Sequence, residues 1–390
     1  MIIIFLLNLW SDKQQDPKQM EVYCMTNACE VVYEHSDLPI DKLISSENSV
    51  YIYSLGAKVD PVLSTTEIKF GAIGDVILYD PQYYPLDSNG MYDFDLMFEP
   101  VRERIKQYDV AMFVQESIAA GCIETYPTFC SPFEVSDYMQ DEMGMDIVSV
   151  ANNHILDQGM DGVFNALNYY EEIDFDYIGA KLEAEQKPLI VDYDGIKIGY
   201  LSYATTYNGF SPPEEYAFMF KEYSEELLLS EIEYLKTSDV DAIISYIHWG
   251  DEYTYSSNET QKLIAKQMAS GGVNVIVGSH PHVLQEVSEI TNDDGSTTLV
   301  AYSLGNFTAA QQTYVAETAY AGFLEFSLVF NMSDGAVVDV TYDQVNFFPT
   351  YNSSYHEGLI TYPLAESSQA SKLDYWCDLV IDSENVTCSN

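Results

Sequence analysis

The sequence predicts an α/β fold. Short runs of β-branched and aromatic residues recur along the chain and end in Gly, Asn, Asp or His, as buried strands of an α/β sheet do. Helical stretches alternate with these runs. The 390 residues, 47% of them hydrophobic, supply enough apolar surface for one large folded domain or two ordinary ones.

Seven apolar runs are predicted as strands of this sheet. In chain order they are IKFGAIGDVIL (68–78), VAMFVQES (110–117), MDIVSVANNH (145–154), IKIGYLSYA (196–204), VDAIISYIHWG (240–250), VNVIVGSHPHV (273–283) and LVAYSLGNF (299–307). The segments between them include two clear helix candidates, Glu222 to Lys236 and Thr260 to Ser270. In the second, Leu263, Ile264 and Met268 are expected on one face.

The pattern changes after about residue 318. Residues 322–331 and 336–348 are predicted as an antiparallel hairpin with a Gly-containing turn. The last 30 or so residues suggest a loosely packed tail. We therefore expect an N-terminal extension (1–66), a main domain (67–330) and a C-terminal hairpin and tail (331–390).

Charge excludes one class of function. The chain has 62 Asp and Glu residues against 16 Lys and Arg, which gives a net charge of −46 and an isoelectric point near 4.1. Nucleic acid would be repelled, so no nucleic-acid partner is expected. The acidity is typical of a solvated shell in a salty or cation-rich medium, and it would also enrich cations near a metal site.

Cysteines and the N-terminus indicate a compartment. The six cysteines fall in three close pairs, Cys24/Cys29, Cys122/Cys130 and Cys377/Cys388, which suits three short-loop disulfides, although six cysteines allow about 15 connectivities. Disulfides are favoured over metal ligation and indicate a location outside the reducing cytosol. Residues 1–10 form an apolar run too short to cross a membrane. This run is either a truncated signal or anchor, or a buried first strand. We expect an extracellular or cell-surface protein.

Polar side chains stand at the carboxyl ends of the predicted strands, where loops of an α/β sheet build ligand sites. Carboxylates, imidazoles and amide oxygens are ligands that zinc, manganese or iron accept. Such groups suffice here for two divalent ions. The candidate metal ligands are Asp75, Glu116, Asn153, His248, His280 and His282.

His280 and His282 flank Pro281, which restricts the backbone between the two imidazoles. In an extended segment, residues two apart point to the same side. The alternative is a pair of surface histidines in a loop. The chain has six histidines, and four of them fall in strand-end motifs, which favours the metal interpretation.

His154 follows Asn153 directly, so a metal ligand and a catalytic partner would stand side by side. Asp157 is three residues on and would orient the His154 ring if a helical turn begins here. Alternatively Asp157 is a helix N-cap. Asp75 could instead be an ordinary turn residue. A carboxylate directly after an apolar strand, as Asp75 and Glu116 both are, is costly to bury unless it is paired or bound to metal.

The order of these motifs resembles the CapA family of capsule and poly-γ-glutamate synthesis proteins. The resemblance covers about residues 69 to 310. The matching segments are GDV (74–76), VQES (114–117), NNHILDQG (152–159), HWGDEY (248–253), GSHPHVLQ (278–285) and YSLGNF (302–307).

CapA proteins look like members of the calcineurin-like metallophosphatase superfamily, which implies a four-layer αββα sandwich with a two-metal centre. The resemblance implies that Asp75 is the first-strand ligand and that Glu116 stands where the superfamily has a bridging Asp. The remaining matches are Asn153 with His154, His248, and the closing pair His280 and His282. The sequence departs from the superfamily pattern at Ile77, which occupies a position where the superfamily has histidine. CapA proteins share this departure.

Two functions follow as hypotheses. The first is a CapA-like component of capsule or poly-γ-glutamate synthesis or export, which grips an anionic polymer and works with a membrane-associated synthase. The second is a metal-dependent phosphoesterase with His154 and Asp157 as catalytic residues and a surface-polymer or nucleotide-type substrate. A third reading, a degenerate interaction domain, disagrees with the intact histidines in every motif.

Overall fold

The computed structural model describes the backbone of four short strands between residues 21 and 52, and then residues 64–78, 86, 88–183, 187–333 and 336–389. The apolar run at 1–10 lies outside the described residues. The chain separates into two compact units. The larger unit, residues 67–329 and 340–390, contains every candidate site residue. The smaller unit comprises residues 1–66 and 330–339 and includes two antiparallel strand pairs.

The strands in chain order are β1 (Glu21–Met25), β2 (Ala28–Val32), β3 (Leu43–Ser46), β4 (Ser49–Ile52), β5 (Ser64–Val76), β6 (Val110–Gln115), β7 (Ile147–Ser149), β8 (Asp176–Ile178), β9 (Leu189–Tyr193), β10 (Ile196–Ala204), β11 (Ala242–His248), β12 (Val275–Ser279), β13 (Val287–Thr291), β14 (Thr297–Ala301), β15 (Asn306–Thr308), β16 (Tyr320–Ser333), β17 (Ala336–Asn352), β18 (Thr361–Pro363) and β19 (Thr387–Cys388). The α-helices are α1 (Asp95–Ile105), α2 (Glu134–Asp137), α3 (Gly159–Glu172), α4 (Glu225–Thr237), α5 (Glu259–Gly271) and α6 (Leu373–Val380).

The larger unit is built on two sheets. The six-stranded sheet has the order β13-β14-β12-β11-β10-β9, with parallel strands in its centre and an antiparallel strand at each edge. The nine-stranded sheet follows the order β18-β17-β16-β5-β6-β7-β8, with β15 beside β5 and β19 beside β17. Strands β5 to β8 run parallel. Their carboxyl ends therefore meet at one edge.

The inner faces of the two sheets pack against each other. The Tyr246 hydroxyl of β11 donates to the backbone carbonyl of Met112 in β6 at 3.0 Å. The hydroxyls of Ser149 in β7 and Ser202 in β10 lie 2.8 Å apart. These polar pairs satisfy groups that would otherwise be buried without a partner.

Helices cover the outer faces. Apolar residues of α4 and α5 form one core with the outer face of β10, β11 and β12. Those of α1 and α3 form another with β6 and β7. The layers thus run helix, sheet, sheet, helix, which confirms the predicted αββα sandwich. Within the described residues, no helix is long and apolar enough to cross a membrane.

The predicted helices occur with shifted ends. α4 begins at Glu225 because the Ser224 side chain caps it, accepting a hydrogen bond from the backbone N–H of Leu227 at 3.2 Å. In α5 the prediction for Leu263 is wrong, since its side chain is 57% exposed. The 3.6-residue period places Ile264 and Met268 on the buried stripe and turns Leu263 to solvent.

The C-terminal segment belongs to the main sheet. β16 and β17 are neighbours there, as the predicted hairpin requires, and β18 and β19 both pair with β17. Trp376 in α6 is only 2% exposed, and a disulfide joins Cys377 to Cys388. The expected loose tail is thus a packed segment. Its packing depends on pairing with β17, which a local sequence pattern does not reveal.

Candidate metal centre

The candidate ligands converge where the carboxyl ends of both sheets meet. The nine-stranded sheet contributes Asp75 from the end of β5, Glu116 directly after β6, and Asn153 from the loop after β7. The six-stranded sheet contributes His248, the last residue of β11, and the two histidines after β12. All six predicted metal ligands are buried.

Glu116 lies at the centre of this cluster. Its Oε1 is 3.6 Å from His248 Nε2, and its Oε2 is 3.7 Å from His282 Nδ1. Asp75 Oδ2 is also 3.7 Å from His282 Nδ1. Separations of this size between a carboxylate oxygen and an imidazole nitrogen leave the two donors free to bind one cation between them.

A second group of donors surrounds His248. The Asn153 amide oxygen lies 2.9 Å from His248 Nε2, and His280 Nδ1 lies 3.1 Å from the same nitrogen. The opposite ring nitrogen, His248 Nδ1, is 2.8 Å from the Ser279 hydroxyl. Such a partner holds the ring of a metal-binding histidine in orientation.

The His280–Pro281–His282 segment has a distinctive backbone. The residues His280 and His282 have φ values of 97° and 62°, in the left-handed region. The two histidines are therefore presented from a turn rather than from an extended segment. Both rings nevertheless point into the cluster, with exposures of 7% and 2%, so they are not a surface pair. The His280 N–H donates to Asp75 Oδ2 at 3.2 Å, which anchors this backbone to β5.

The buried charges perturb one another strongly. Burial raises the pKa of Glu116, and the nearby Asp75 carboxylate raises it further against the opposing effect of His282. Burial lowers the pKa of His248. Burial and the neighbouring His282 together lower the pKa of His280 to about 3. Burial alone would also lower the pKa of His282. The Glu116 and Asp75 carboxylates outweigh this effect and raise the pKa of His282 to about 9.

The donor set fits divalent cations. Among the described residues, Asp75 Oδ1 and both Glu116 carboxylate oxygens lack any hydrogen-bond partner, although both side chains are fully buried. Isolated buried carboxylates are costly unless a cation compensates them. Three sets of donors each have ligand atoms within 4.8 Å of one another: Glu116, His248 and His280; Asp75, Glu116 and His282; Glu252, His280 and His282.

His154 lies at the edge of this cluster. Its Nε2 is 4.0 Å from Glu116 Oε1, and its Nδ1 is 2.6 Å from Asp157 Oδ2. The alternative of Asp157 as a helix N-cap is wrong, because α3 begins at Gly159 with Gln158 as its cap residue. Asp157 and His154 are therefore brought together as a buried pair.

Ile77 belongs to an apolar wall beside the cluster. It is 1% exposed and packs with Phe129 and Ala309. The Phe129 ring contacts the His154 ring edge-on, with centroids 4.7 Å apart. Ile77 and Phe129 therefore present a dry, apolar surface on one side of His154.

A disulfide-closed loop supports this wall. Cys122 and Cys130 are bonded, and the Phe129 N–H donates to Asp157 Oδ2 at 2.6 Å. Two of the three predicted disulfides are thus confirmed. Cys24 and Cys29 are opposite residues of the β1–β2 pair, but their side chains lie outside the described residues.

Replacing both Cys122 and Cys130 with serine is expected to lower the free energy of unfolding by about 2–3 kcal/mol, because the bond closes a short loop. Urea unfolding monitored by circular dichroism would measure this. Wild type treated with a thiol reductant should lose at least as much stability, since the reductant opens Cys377–Cys388 as well. An unchanged unfolding midpoint in the double variant would contradict the expectation.

The sequence-based prediction missed several polar neighbours. Asn306 Oδ1 is 3.0 Å from His282 Nδ1. The Asn208 side-chain N–H donates to His154 Nε2 at 3.4 Å. Glu252 is exposed but falls within one of the donor sets. Asn306 is the second-last residue of the predicted strand LVAYSLGNF and Glu252 stands in HWGDEY, so both lie near the end of a predicted strand. Asn208 lies in an irregular loop, where no pattern marks it.

Comparison with known proteins agrees with the motif order. Residues 69–311 match the family model described as bacterial capsule synthesis protein PGA_cap. The capsule biosynthesis protein CapA of Bacillus anthracis is 30% identical over 173 residues, 43% of this chain and 40% of the relative. The PGA biosynthesis protein CapA of Bacillus subtilis is 27% identical over 223 residues, 53% of this chain and 56% of the relative.

Among solved structures, the NAD nucleotidase of Haemophilus influenzae superimposes with a TM-score of 0.45 and 15% sequence identity, covering 84% of this chain and 64% of that one. The chain spans about half the length of the curated relatives it matches.

Proposed function

Because the chain belongs to the PGA_cap family of bacterial capsule synthesis proteins, we propose that it serves capsule or poly-γ-glutamate synthesis or export through a two-metal site. The observation that carries this proposal is Glu116, a fully buried carboxylate shared by two donor sets. One oxygen faces His248 and the other faces His282. A carboxylate placed in this way can bridge two cations.

In this proposal Asp75, Glu116 and His282 hold one ion, and Glu116, His248, His280 and Asn153 hold the other. Bound divalent ions, whether manganese, zinc or iron, would supply positive charge that polarises carboxylate or phosphoryl oxygens. The protein around them carries a net charge of −46, so an anionic polymer would have few other attractive contacts.

We further propose that the protein works at the cell surface or outside the cell, beside a membrane-associated polymer synthase. Two disulfides, Cys122–Cys130 and Cys377–Cys388, support this location, since disulfides persist in oxidising compartments.

The second candidate function is phosphoester hydrolysis, and the pair His154 and Asp157 favours it. An ionised carboxylate can accept hydrogen bonds but cannot donate them. The Asp157 carboxylate therefore keeps the proton on His154 Nδ1 and leaves Nε2 facing the cluster. That nitrogen can accept or return a proton at the substrate. Polymer binding alone would not need a ring held in this way.

Two assays on the purified chain separate these functions. The first measures binding of poly-γ-glutamate by calorimetry with and without manganese. The second measures hydrolysis of an aryl phosphodiester with manganese. Metal-dependent polymer binding without turnover supports the capsule role alone, whereas turnover supports the phosphoesterase. If neither occurs in a protein shown to contain metal, both proposals are wrong.

Asp157→Asn is expected to reduce any phosphodiester hydrolysis about 10- to 100-fold, because the amide no longer fixes the His154 tautomer. Metal content should stay unchanged, since Asp157 belongs to none of the donor sets. Steady-state kinetics together with elemental analysis would test this. A variant that loses metal as well as turnover would show instead that Asp157 supports the ligands themselves.

A further inference from the structure

A cleft lined by aromatic rings lies in the C-terminal part of the larger unit. Its volume is about 590 Å³, within the ~300–1,000 Å³ range of small-molecule sites. Four rings form a continuous row along it. Tyr351 and Tyr320 have centroids 5.4 Å apart, Tyr320 and Trp376 4.7 Å, and Trp376 and Tyr375 5.2 Å. This row, with the polar residues beside it, is called the aromatic cleft below.

The rings are presented at different depths. Trp376 is 2% exposed, whereas Tyr375 is 57% exposed and forms an open edge. The indole N–H of Trp376 and the amide oxygen of Gln312 have no hydrogen-bond partner among the residues that the structure describes. Both residues line the cleft. Both atoms are themselves shielded from solvent, so a ligand in the cleft would meet the exposed ring faces rather than these two atoms.

The charge of the cleft differs from that of the protein. Its lining contains one acidic residue, Glu317, and one basic residue, Lys372, and is otherwise neutral. The whole chain carries −46. An anionic ligand would therefore find a single cation here within a strongly negative field. A ligand without charge would avoid that repulsion.

The cleft connects to the metal centre through two segments. The Gln311 amide oxygen accepts a hydrogen bond from Asn306 beside His282, and the next residue, Gln312, lines the cleft. On the other side, Tyr255 lies beside the Glu317 carboxylate of the cleft, and burial together with this carboxylate raises the pKa of Tyr255. Tyr255 follows Glu252, a member of one donor set, by three residues. The cleft and the centre thus share neighbouring loops.

We infer that the aromatic cleft binds an uncharged glycan segment beside the metal centre. Sugar rings present C–H groups that pack on the electron-rich faces of aromatic rings, while their hydroxyls bond to neighbouring side-chain hydroxyls and amides. Tyr320 and Gln369 already form one such polar edge, with the hydroxyl 3.2 Å from the amide oxygen. Binding here requires no metal, so it does not depend on the proposed function.

The test uses the whole chain on an array of uncharged oligosaccharides containing glucose, mannose, galactose or N-acetylhexosamine. The array also carries sulfated glycans, poly-γ-glutamate and adenosine monophosphate. Any uncharged oligosaccharide retained is then titrated by calorimetry, with and without a chelator. Saturable binding that persists with the chelator is expected.

Tyr375→Ala and Tyr351→Ala are each expected to weaken this binding roughly 2- to 10-fold, since each removes one ring face. Tyr375→Phe should retain it. The matched control is Phe218→Ala, which removes a 40% exposed ring outside the cleft lining. Tyr375 is largely exposed, so its loss should leave folding intact.

Three outcomes would overturn the assignment. They are no retention of any uncharged oligosaccharide, binding that the cleft variants leave unchanged, and selective binding of a charged probe that the variants weaken. The last outcome would assign the cleft to an anionic ligand instead.

Discussion

Replacing His280 and His282 together with alanine is expected to remove divalent metal from the purified protein and to abolish any metal-dependent polymer binding or hydrolysis. His280 and His282 each belong to two of the three donor sets, and every set contains at least one of them, so no set stays complete in the double variant. Loss of two imidazole ligands leaves mainly carboxylate oxygens, which bind zinc, manganese or iron less selectively.

Elemental analysis of wild type and variant, dialysed side by side, is the direct measurement. About two ions per chain are expected in the wild type under the proposed function, and essentially none in the variant. His356→Ala is the matched control, because His356 is exposed and lies in none of the donor sets. A double variant that keeps the wild-type metal content would overturn the ligand assignment.

The second large effect concerns stability. Stripping the metal with a chelator is expected to lower the free energy of unfolding by about 4 kcal/mol relative to protein held at 1,000 times the dissociation constant. The physical reason is the buried pair Asp75 and Glu116, whose unpaired oxygens would lose their compensating charge. Calorimetric unfolding with and without manganese measures the difference.

Glu116→Gln provides the control for this stability prediction. The amide keeps the shape of the side chain but removes the charge that both donor sets share. The stabilisation by added metal should therefore shrink markedly in Glu116→Gln, while a surface change such as Leu263→Ala should leave it intact. Equal metal-induced stabilisation in Glu116→Gln and wild type would refute a bridging role for Glu116.

The sequence predicts the strands and the strand-end residues because both follow from local patterns, whereas the four-layer arrangement is implied by the resemblance to CapA proteins. Apolar runs that end in a polar residue mark buried parallel strands, so Asp75, His248 and the histidines after β12 could be found directly. The sequence does not predict the left-handed backbone of His280 and His282, because that conformation depends on the contact of the His280 N–H with Asp75 in the other sheet.

Long-range packing also explains the remaining differences. The aromatic cleft brings Tyr320 of β16 beside Trp376 of α6, which no periodicity connects. Asn208 reaches His154 from an irregular loop, and Ile77 meets Phe129 through a disulfide-closed segment. Each contact joins residues whose separation along the chain hides their proximity.

The spread of the ligands along the chain has a consequence for the order of events during synthesis. His280 contacts Asp75 across a separation of 205 residues. At the usual speed of translation, roughly 10–40 s pass between the appearance of the first ligand and the last. The complete donor set therefore exists only after most of the chain has been made. Under the proposed function, the ions bound would therefore be drawn from the metals present in the compartment where folding is completed.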